Sequence, residues 1–230
     1  MNLIRRYLAI LLTLGFISKG ESAVFYDSIS SSDSDEGFLN SPIYFGDALT
    51  LSGTSAVIDS LTFKVVSILP STATGSFRAF FYDINAGADG LFQTGDETFG
   101  SLIGSSTSQS FSVSNGTMVT LTGFSVSVPK NFLWIVYNQN LSITVAAVRS
   151  SGYATVTGGS SAVTSGYWNS AAPTTGGSLK MLSFTGTHPY GSDFAVQLSG
   201  SMVPEPSAFS LLVVGLGGLG ALRRARRKAD

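Results

Sequence analysis

Apolar side chains alternate with polar ones in segment after segment of the middle of this chain. The pattern is clearest over residues 61–65, 141–147 and 194–198, where every second side chain is apolar. A strand points successive side chains to opposite faces of a sheet, so this period of two is typical of half-buried strands. No stretch of twelve residues between 24 and 202 shows a convincing helical period. The sequence therefore predicts an all-β domain over residues 24–202.

Individual strands can be placed from the same pattern. Residues 132–137 are six consecutive apolar residues and predict a central strand that is covered on both faces. At Gly123 the alternation changes phase, which predicts a β-bulge. The strand at 194–200 is expected at a sheet edge or at the end of the last sheet. Further strands are expected near 43–51, 76–84, 97–103 and 179–185.

The number of strands indicates the architecture. Nine or more short strands with turns rich in Gly, Ser and Thr predict an antiparallel β-sandwich or jelly-roll-like domain. No repeat of about 20–50 residues is evident, which disfavours a propeller or a solenoid. The segment 30–37 is polar and acidic, and the segment 152–177 is expected to hold long loops because Gly, Ser and Thr dominate it.

Residues 1–23 have the parts of a secretion signal peptide in the usual order. Two arginines provide a positive start, and residues 7–17 form an apolar stretch of eleven residues. Small residues follow, and cleavage after Ser22 satisfies the small-x-small rule because Gly20 lies at the −3 position. Cleavage after Ala23 would place an acidic residue there. A buried core helix is the alternative interpretation of this segment.

The C-terminal end has three parts, and the first is the motif Val203, Pro204, Glu205 and Pro206. Residues 208–222 form an apolar run of fifteen residues with one polar member. At about 1.5 Å per residue this run spans about 22 Å, and snorkelling arginines extend its reach across a bilayer. The basic tail is made of Arg223, Arg224, Arg226, Arg227 and Lys228. Such a tail is expected to stay cytoplasmic, which places residues 24–206 on the other side of the membrane.

These three parts together resemble the PEP-CTERM sorting signal of Gram-negative envelope proteins, over residues 203–228 only. The resemblance implies that an exosortase-type membrane enzyme recognises Pro204, Glu205 and Pro206. It further implies that the helix at 208–222 is removed and that the protein reaches the cell surface or the exopolysaccharide matrix. A plain membrane anchor that is never cleaved is the alternative.

Charge and residue usage exclude several classes of function. Between residues 24 and 206 five basic residues stand against twelve acidic ones, a net charge of −7, so a nucleic-acid surface is not expected. The segment Gly215–Gly220 matches G-x-G-x-x-G but has no strand-turn-helix context and no acidic partner, so no nucleotide site is expected. The chain has no cysteine, and His188 is its one histidine, without a G-x-S-x-G elbow anywhere. No catalytic residues are predicted.

One segment has the residues of a calcium loop. Asp83, Asn85, Asp89 and Asp96 take ligand positions of such a loop if Gly87 and Ala88 are counted as an insertion. A Ca²⁺ ion held there would be structural. A long hairpin whose Asp, Asn and Gly residues suit turns has the same composition. Both interpretations stay open, and no other cofactor is expected.

Aromatic residues give the last indication of function. Tyr167 and Trp168 lie in the Gly-rich segment, where exposed rings can stack on sugars, although a loop packed back onto the domain is the alternative. Trp134 is expected in the core. We therefore expect a non-enzymatic structural or adhesive protein of the cell surface or exopolysaccharide matrix. A carbohydrate-binding module is the second hypothesis, and a secreted hydrolase is the third.

Overall fold

The computed structural model describes ten stretches of the chain, whose regular structure is β-strand. These stretches are residues 22–29, 32–39, 43–67, 72–92, 96–114, 117–140, 145–150, 159–169, 171–179 and 193–203. They contain twelve strands and no helix, which confirms the predicted all-β class. Over these stretches no helix is long and apolar enough to cross a bilayer. The predicted helices at 7–17 and 208–222 lie outside them.

The strands are numbered in the order in which they occur along the chain. Their bounds are β1 Ala23–Asp27, β2 Ser32–Leu39, β3 Ile43–Ser67, β4 Ala73–Asn85, β5 Thr98–Ser105, β6 Gln109–Val113, β7 Thr117–Leu121, β8 Val126–Gln139, β9 Val145–Ser150, β10 Gly159–Asn169, β11 Asp193–Phe194 and β12 Val196–Val203.

Strand β3 organises the sheet because it is 25 residues long and reaches many partners. It pairs with β7, β8, β9, β10 and β12, always antiparallel. One path through the hydrogen bonds runs β1-β12-β3-β8-β4-β5, and the other strands join it from the sides. The twelve strands therefore form a single antiparallel network.

Strand β8 is the central strand that its apolar run predicts. It lies between β3 and β4 and is hydrogen-bonded to both. Phe132, Trp134 and Val136 point into the large core, whereas Leu133 and Ile135 belong to a second apolar cluster. All five side chains are fully buried. The prediction of a strand covered on both faces, with Trp134 in the core, is confirmed.

The phase change at Gly123 corresponds to an irregularity in the sheet. Leu121 pairs with Leu61 of β3, and Val126 pairs with Ile58, so four residues on one side face two on the other. Gly123 itself has φ 75°, a left-handed backbone that glycine adopts without steric strain. The irregularity predicted at this position is present. It lets apolar side chains before and after Gly123 face the core.

The large core is built around aromatic rings in edge-to-face contact. The ring of Phe45 lies 5.7 Å from that of Phe63, 6.4 Å from that of Trp134 and 5.1 Å from that of Phe194, measured between centroids. Each pair of this geometry contributes about 0.5–1.5 kcal/mol beyond the burial of its area. The four rings come from β3, β8 and β11, so they hold together distant parts of the sequence.

The last strand does not lie at the edge of the sheet. Strand β12 lies between β1 and β3 and is hydrogen-bonded to both, which corrects the expectation for residues 194–200. Its alternating pattern shows which residues face the core but cannot show that the five residues of β1 add on its outer side. Strand partners are set by tertiary packing rather than by the strand's own sequence.

The polar segment 30–37 and the segment 152–177, where long loops are expected, both contain strands. Strand β2 covers much of the polar segment 30–37 and pairs with β9. Strand β10 lies within the Gly-rich segment 152–177 and pairs with β3. Strand formation depends on an available partner more than on composition, which explains both strands.

The remaining strand predictions agree with the structure where it describes them. The segments 43–51, 76–84 and 97–103 fall on β3, β4 and β5. Leu179 lies outside any strand, although Ser178 before it forms an isolated bridge with Thr98. Residues 180–185 and 141–144 lie outside the described residues.

Candidate functional site

Three aromatic side chains form a row on the face of the sheet opposite the large core. Tyr44 of β3 and Tyr137 of β8 are opposite each other in the ladder, and their rings stack with centroids 4.3 Å apart. Phe80 of β4 follows, with its centroid 6.3 Å from that of Tyr44. All three side chains are half-buried, so part of each ring is open to solvent. We call Tyr44, Tyr137 and Phe80 the aromatic row.

Arg78 lies at the end of the aromatic row. Its guanidinium carbon is 4.7 Å from the centroid of the Phe80 ring, which is cation–π distance. Its Nε donates to the carbonyl oxygen of Ser106 at 2.9 Å, and Nη2 donates to Ser105 Oγ at 2.8 Å. These contacts hold the exposed guanidinium in one orientation. The other three N–H groups have no hydrogen-bond partner among the described residues.

A cleft of about 730 Å³ opens beside Arg78. Its volume is within the range of sites that bind small molecules, about 300–1,000 Å³. Apolar contact is available from Ile103 and Phe124. The hydroxyl groups that line it belong to Ser105, Ser106, Thr107, Ser108, Ser125 and Ser127. The cleft therefore combines many neutral hydrogen-bonding groups with a single positive charge.

The row changes the ionisation of Tyr44. Burial raises the pKa of the Tyr44 hydroxyl above its usual 10.0, and the neighbouring Tyr137 raises it further. Arg78 acts in the opposite direction because its positive charge stabilises the phenolate. The Tyr44 hydroxyl is therefore neutral at physiological pH and can both donate and accept a hydrogen bond.

The sequence did not indicate this group of residues. Tyr44, Arg78, Phe80 and Tyr137 come from three strands that are far apart in the sequence, and the two ladders of β8 bring them together. The local sequence carried no signal for the site, since same-face neighbours such as Gly46 beside Tyr44 and Ile135 beside Tyr137 are not polar.

The predicted calcium loop contains hydrogen bonds typical of turns. Asp89 Oδ1 accepts from the backbone N–H of Leu91 at 2.8 Å, and Asp96 Oδ2 accepts from that of Ala88 at 2.8 Å. Asn85 Nδ2 donates to the carbonyl oxygen of Phe99 at 3.2 Å, and Asp83 lies earlier in β4. No three His, Cys, Asp or Glu side chains are grouped to hold a metal ion in the described part of the chain. The structure does not bring these carboxylates together.

Tyr167 and Trp168 lie in a strand rather than in a loop. Both belong to β10, where the backbone of Tyr167 pairs with Gly46 and that of Trp168 pairs with Phe45. This corrects the expectation that they lie in a Gly-rich loop. Their role in sugar binding stays a prediction. His188 lies outside the described residues.

The first described strand begins and the last one ends at the same end of one strand pair. Strand β1 begins at Ala23, which pairs with Gly200 of β12. Strand β12 then continues for three residues, about 10 Å at 3.3 Å per residue, and ends at Val203 opposite Ser55. The chain therefore enters and leaves the sheet on neighbouring strands. We call this region the terminal pole.

The terminal pole has two close contacts. Ser22 Oγ donates to Asp59 Oδ1 at 2.8 Å, directly before the first strand. Gly200 has φ 151°, and a Cβ at this residue would lie 1.9 Å from the carbonyl oxygen of Val57. No other residue type fits at this position without moving the backbone of β3. The pairing of β12 with β3 is therefore tight.

Val203 is the exposed last residue of β12, with 38 % of its surface accessible. The rest of the predicted motif, the apolar run and the basic tail lie outside the described residues. Residues 203–228 match a family model that describes the PEP-CTERM protein-sorting motif. The tail is a PEP-CTERM sorting motif. The resemblance found in the sequence is confirmed over the same residues.

A PEP-CTERM tail implies an exported protein that an exosortase-type enzyme processes. The match covers the tail and does not extend into the β domain. No curated protein matches the chain. In the folded domain, the PEP-CTERM motif starts at the last residue of β12 without an intervening linker.

Proposed function

We propose that this chain is an exported protein whose β-sandwich-like domain is displayed at the cell surface or in the exopolysaccharide matrix, with a structural or adhesive role. The observation that carries the proposal is the position of Val203. It is at once the first residue of the sorting motif and the end of a strand that lies beside β1.

The terminal pole supports this proposal by its geometry. A signal peptide before Ala23 and an apolar helix after Pro206 both insert with their basic residues on the cytoplasmic side. If two such segments were attached at opposite ends of a domain, the domain would have to lie along the membrane surface. Because Ala23 and Val203 leave from the same end of one strand pair, both segments can reach the same bilayer.

The proposed role is not enzymatic, and two features support this. Asp96 is exposed whereas the adjacent Glu97 is buried, so the two carboxylates do not face one substrate as a glycosidase pair would. The cleft beside Arg78 is lined by hydroxyl groups, glycines and apolar side chains, with no carboxylate among its residues. A general acid and a base are therefore lacking in the cleft itself.

Processing of the tail is the direct test. The chain is produced in an exosortase-containing bacterium. The intact mass of the protein is then measured in the membrane fraction and in the surface fraction. We expect the native protein in the surface fraction without residues 208–228. The double change P204A and P206A should keep the tail and remain in the membrane, whereas S207A, directly after Val203–Pro206, should behave as the native protein. Equal processing of all three would contradict the proposal.

A further inference from the structure

We propose that Arg78 and the aromatic row form a binding site for a glycan whose pyranose rings carry a carboxylate. This site is distinct from the sorting motif and goes beyond the proposed display of the domain. It requires only a folded domain, so it does not depend on how the tail is processed.

The aromatic row provides the surface on which sugar rings bind. Tyr44, Tyr137 and Phe80 belong to three neighbouring strands, and the ring centroid of Tyr44 is 4.3 Å from that of Tyr137 and 6.3 Å from that of Phe80. Partly exposed aromatic rings offer a rigid apolar surface for the C–H groups of a pyranose, at low cost in conformational entropy. The neutral Tyr44 hydroxyl adds a group that donates and accepts hydrogen bonds at the same place.

Arg78 gives the site its preference for a carboxylate. A guanidinium binds a carboxylate through two parallel N–H···O bonds, a geometry that a hydroxyl group cannot match in strength. The Ser105 and Ser106 contacts and the Phe80 ring already fix the guanidinium, so little side-chain entropy is lost on binding. The other three N–H groups of Arg78 have no hydrogen-bond partner among the described residues.

The hydroxyl-lined cleft extends the site beyond Arg78. Ser105 and Ser106 belong both to the cleft and to the hydrogen bonds of Arg78, so the cleft adjoins the row at Arg78, although its apolar residues pack on the large core at the other side of the sheet. Serine and threonine hydroxyls match the hydroxyl groups of a sugar in both donor and acceptor capacity. A sugar bound at Arg78 therefore lies next to the Ser105 hydroxyl, which accepts from Arg78 and can still donate a hydrogen bond.

The net charge of the domain limits further which class of polysaccharide can bind. Residues 24–206 carry a net charge of −7, which repels a densely charged polyanion at long range. A polymer with a carboxylate on some of its sugars meets less repulsion and still provides the group that Arg78 binds. We therefore expect a heteropolysaccharide with spaced carboxylates rather than a homopolymer of acidic sugars.

The test measures how tightly two forms of one polymer bind to each of four proteins. The ligands are hyaluronan oligosaccharides, with a carboxylate on every second sugar, and the same oligosaccharides with each carboxylate methyl-esterified. The proteins are the full chain, R78Q, Y137L and the control K130Q, which removes an exposed positive charge seven residues from Tyr137 along β8. Binding is measured by calorimetry near physiological salt.

We expect the full chain and K130Q to bind the acid about tenfold or more tightly than the ester, since a hydrogen-bonded charge is lost in the ester. R78Q should bind both forms equally and weakly, and Y137L should weaken both while keeping the preference. Three results would overturn the proposal: equal binding of both forms by the full chain, a preserved preference in R78Q, or no binding by the full chain up to about 10 mM. Circular dichroism of each variant verifies that it is folded.

Discussion

Ala23 and Gly200 are opposite each other in the ladder between β1 and β12, at the place where the chain enters and leaves the sheet. The distance between the two membrane-directed segments is therefore set by one strand spacing, about 4.8 Å, and by the three residues that follow Gly200. The two ends belong to one structural unit, and changes at one end should affect the other.

Changing Gly200 to alanine should strongly destabilise the domain. The new Cβ would lie 1.9 Å from the carbonyl oxygen of Val57, so β12 must move away from β3. We expect a loss of about 2–4 kcal/mol in the free energy of unfolding, measured by urea denaturation. The control is Gly90→Ala, where φ is also positive but no atom lies within 4 Å, and a loss of about 1 kcal/mol is expected. Equal losses in the two variants would contradict the close packing of β12.

Removal of the signal peptide after Ser22 should stabilise the terminal pole. Cleavage there creates an α-ammonium group on Ala23, one residue from the Ser22 hydroxyl that donates to Asp59 in the uncleaved chain. An ion pair with the Asp59 carboxylate should add about 0.5 kcal/mol, because the carboxylate is only partly buried. The measurement compares the unfolding of the protein that starts at Ala23 with its Nα-acetylated form. Asp59→Asn should abolish the difference, and a difference that persists would rule out this ion pair.

Truncating Phe45 should cost far more stability than truncating an exposed apolar residue. The Phe45 ring contacts three other buried rings, and its removal leaves a cavity in the large core. We expect Phe45→Ala to lower the free energy of unfolding by about 3–5 kcal/mol. Leu102→Ala, where the side chain is 51 % exposed, should change it by about 0.5 kcal/mol or less. A small effect of Phe45→Ala would contradict the proposed core.

The raised pKa of Tyr44 predicts a loss of stability at high pH. The folded state favours the neutral phenol, so this contribution is complete below the unfolded pKa of 10.0 and is lost as the pH rises through the folded pKa. The melting temperature of the native protein should therefore fall more steeply above about pH 10 than that of Tyr44→Phe. Parallel curves for the two proteins would show that Tyr44 is not shielded from solvent.

The loop over residues 83–97 can be tested by chelation. Asp89 and Asp96 already accept hydrogen bonds from backbone N–H groups, and these bonds stabilise the turn without an ion. We therefore expect EGTA to leave the melting temperature unchanged, whereas Asp96→Ala should lower stability by about 1 kcal/mol through the loss of its bond to Ala88. A fall in melting temperature with EGTA that added Ca²⁺ reverses would instead establish a calcium site formed with Asp83 and Asn85.

The sequence predicted the structural features that are encoded within a single strand. The apolar run at 132–137 identified a strand with two covered faces because each residue's own type reports its burial. The phase change at Gly123 identified an irregularity for the same reason. In both cases the information lies within a few residues. The two-residue period of a strand then assigns each of these residues to one face of the sheet.

The sequence could not predict what depends on strand pairing. The edge position expected for residues 194–200 was wrong because nothing within β12 reports the presence of β1 beside it. The group formed by Arg78, Phe80 and Tyr137 was missed because β4 and β8 are separate in sequence and meet only in the folded sheet. Pairing between distant strands is set by the packing of the whole domain, which no single segment encodes.

The most direct test of the account is the intact mass of the protein recovered from the surface of an exosortase-containing bacterium. Export, cleavage before β1 and processing shortly after β12 predict a mass that corresponds to a chain starting at Ala23 and ending within residues 203–207. A full-length chain of 230 residues, found in the cytosol without membrane association, would contradict the account.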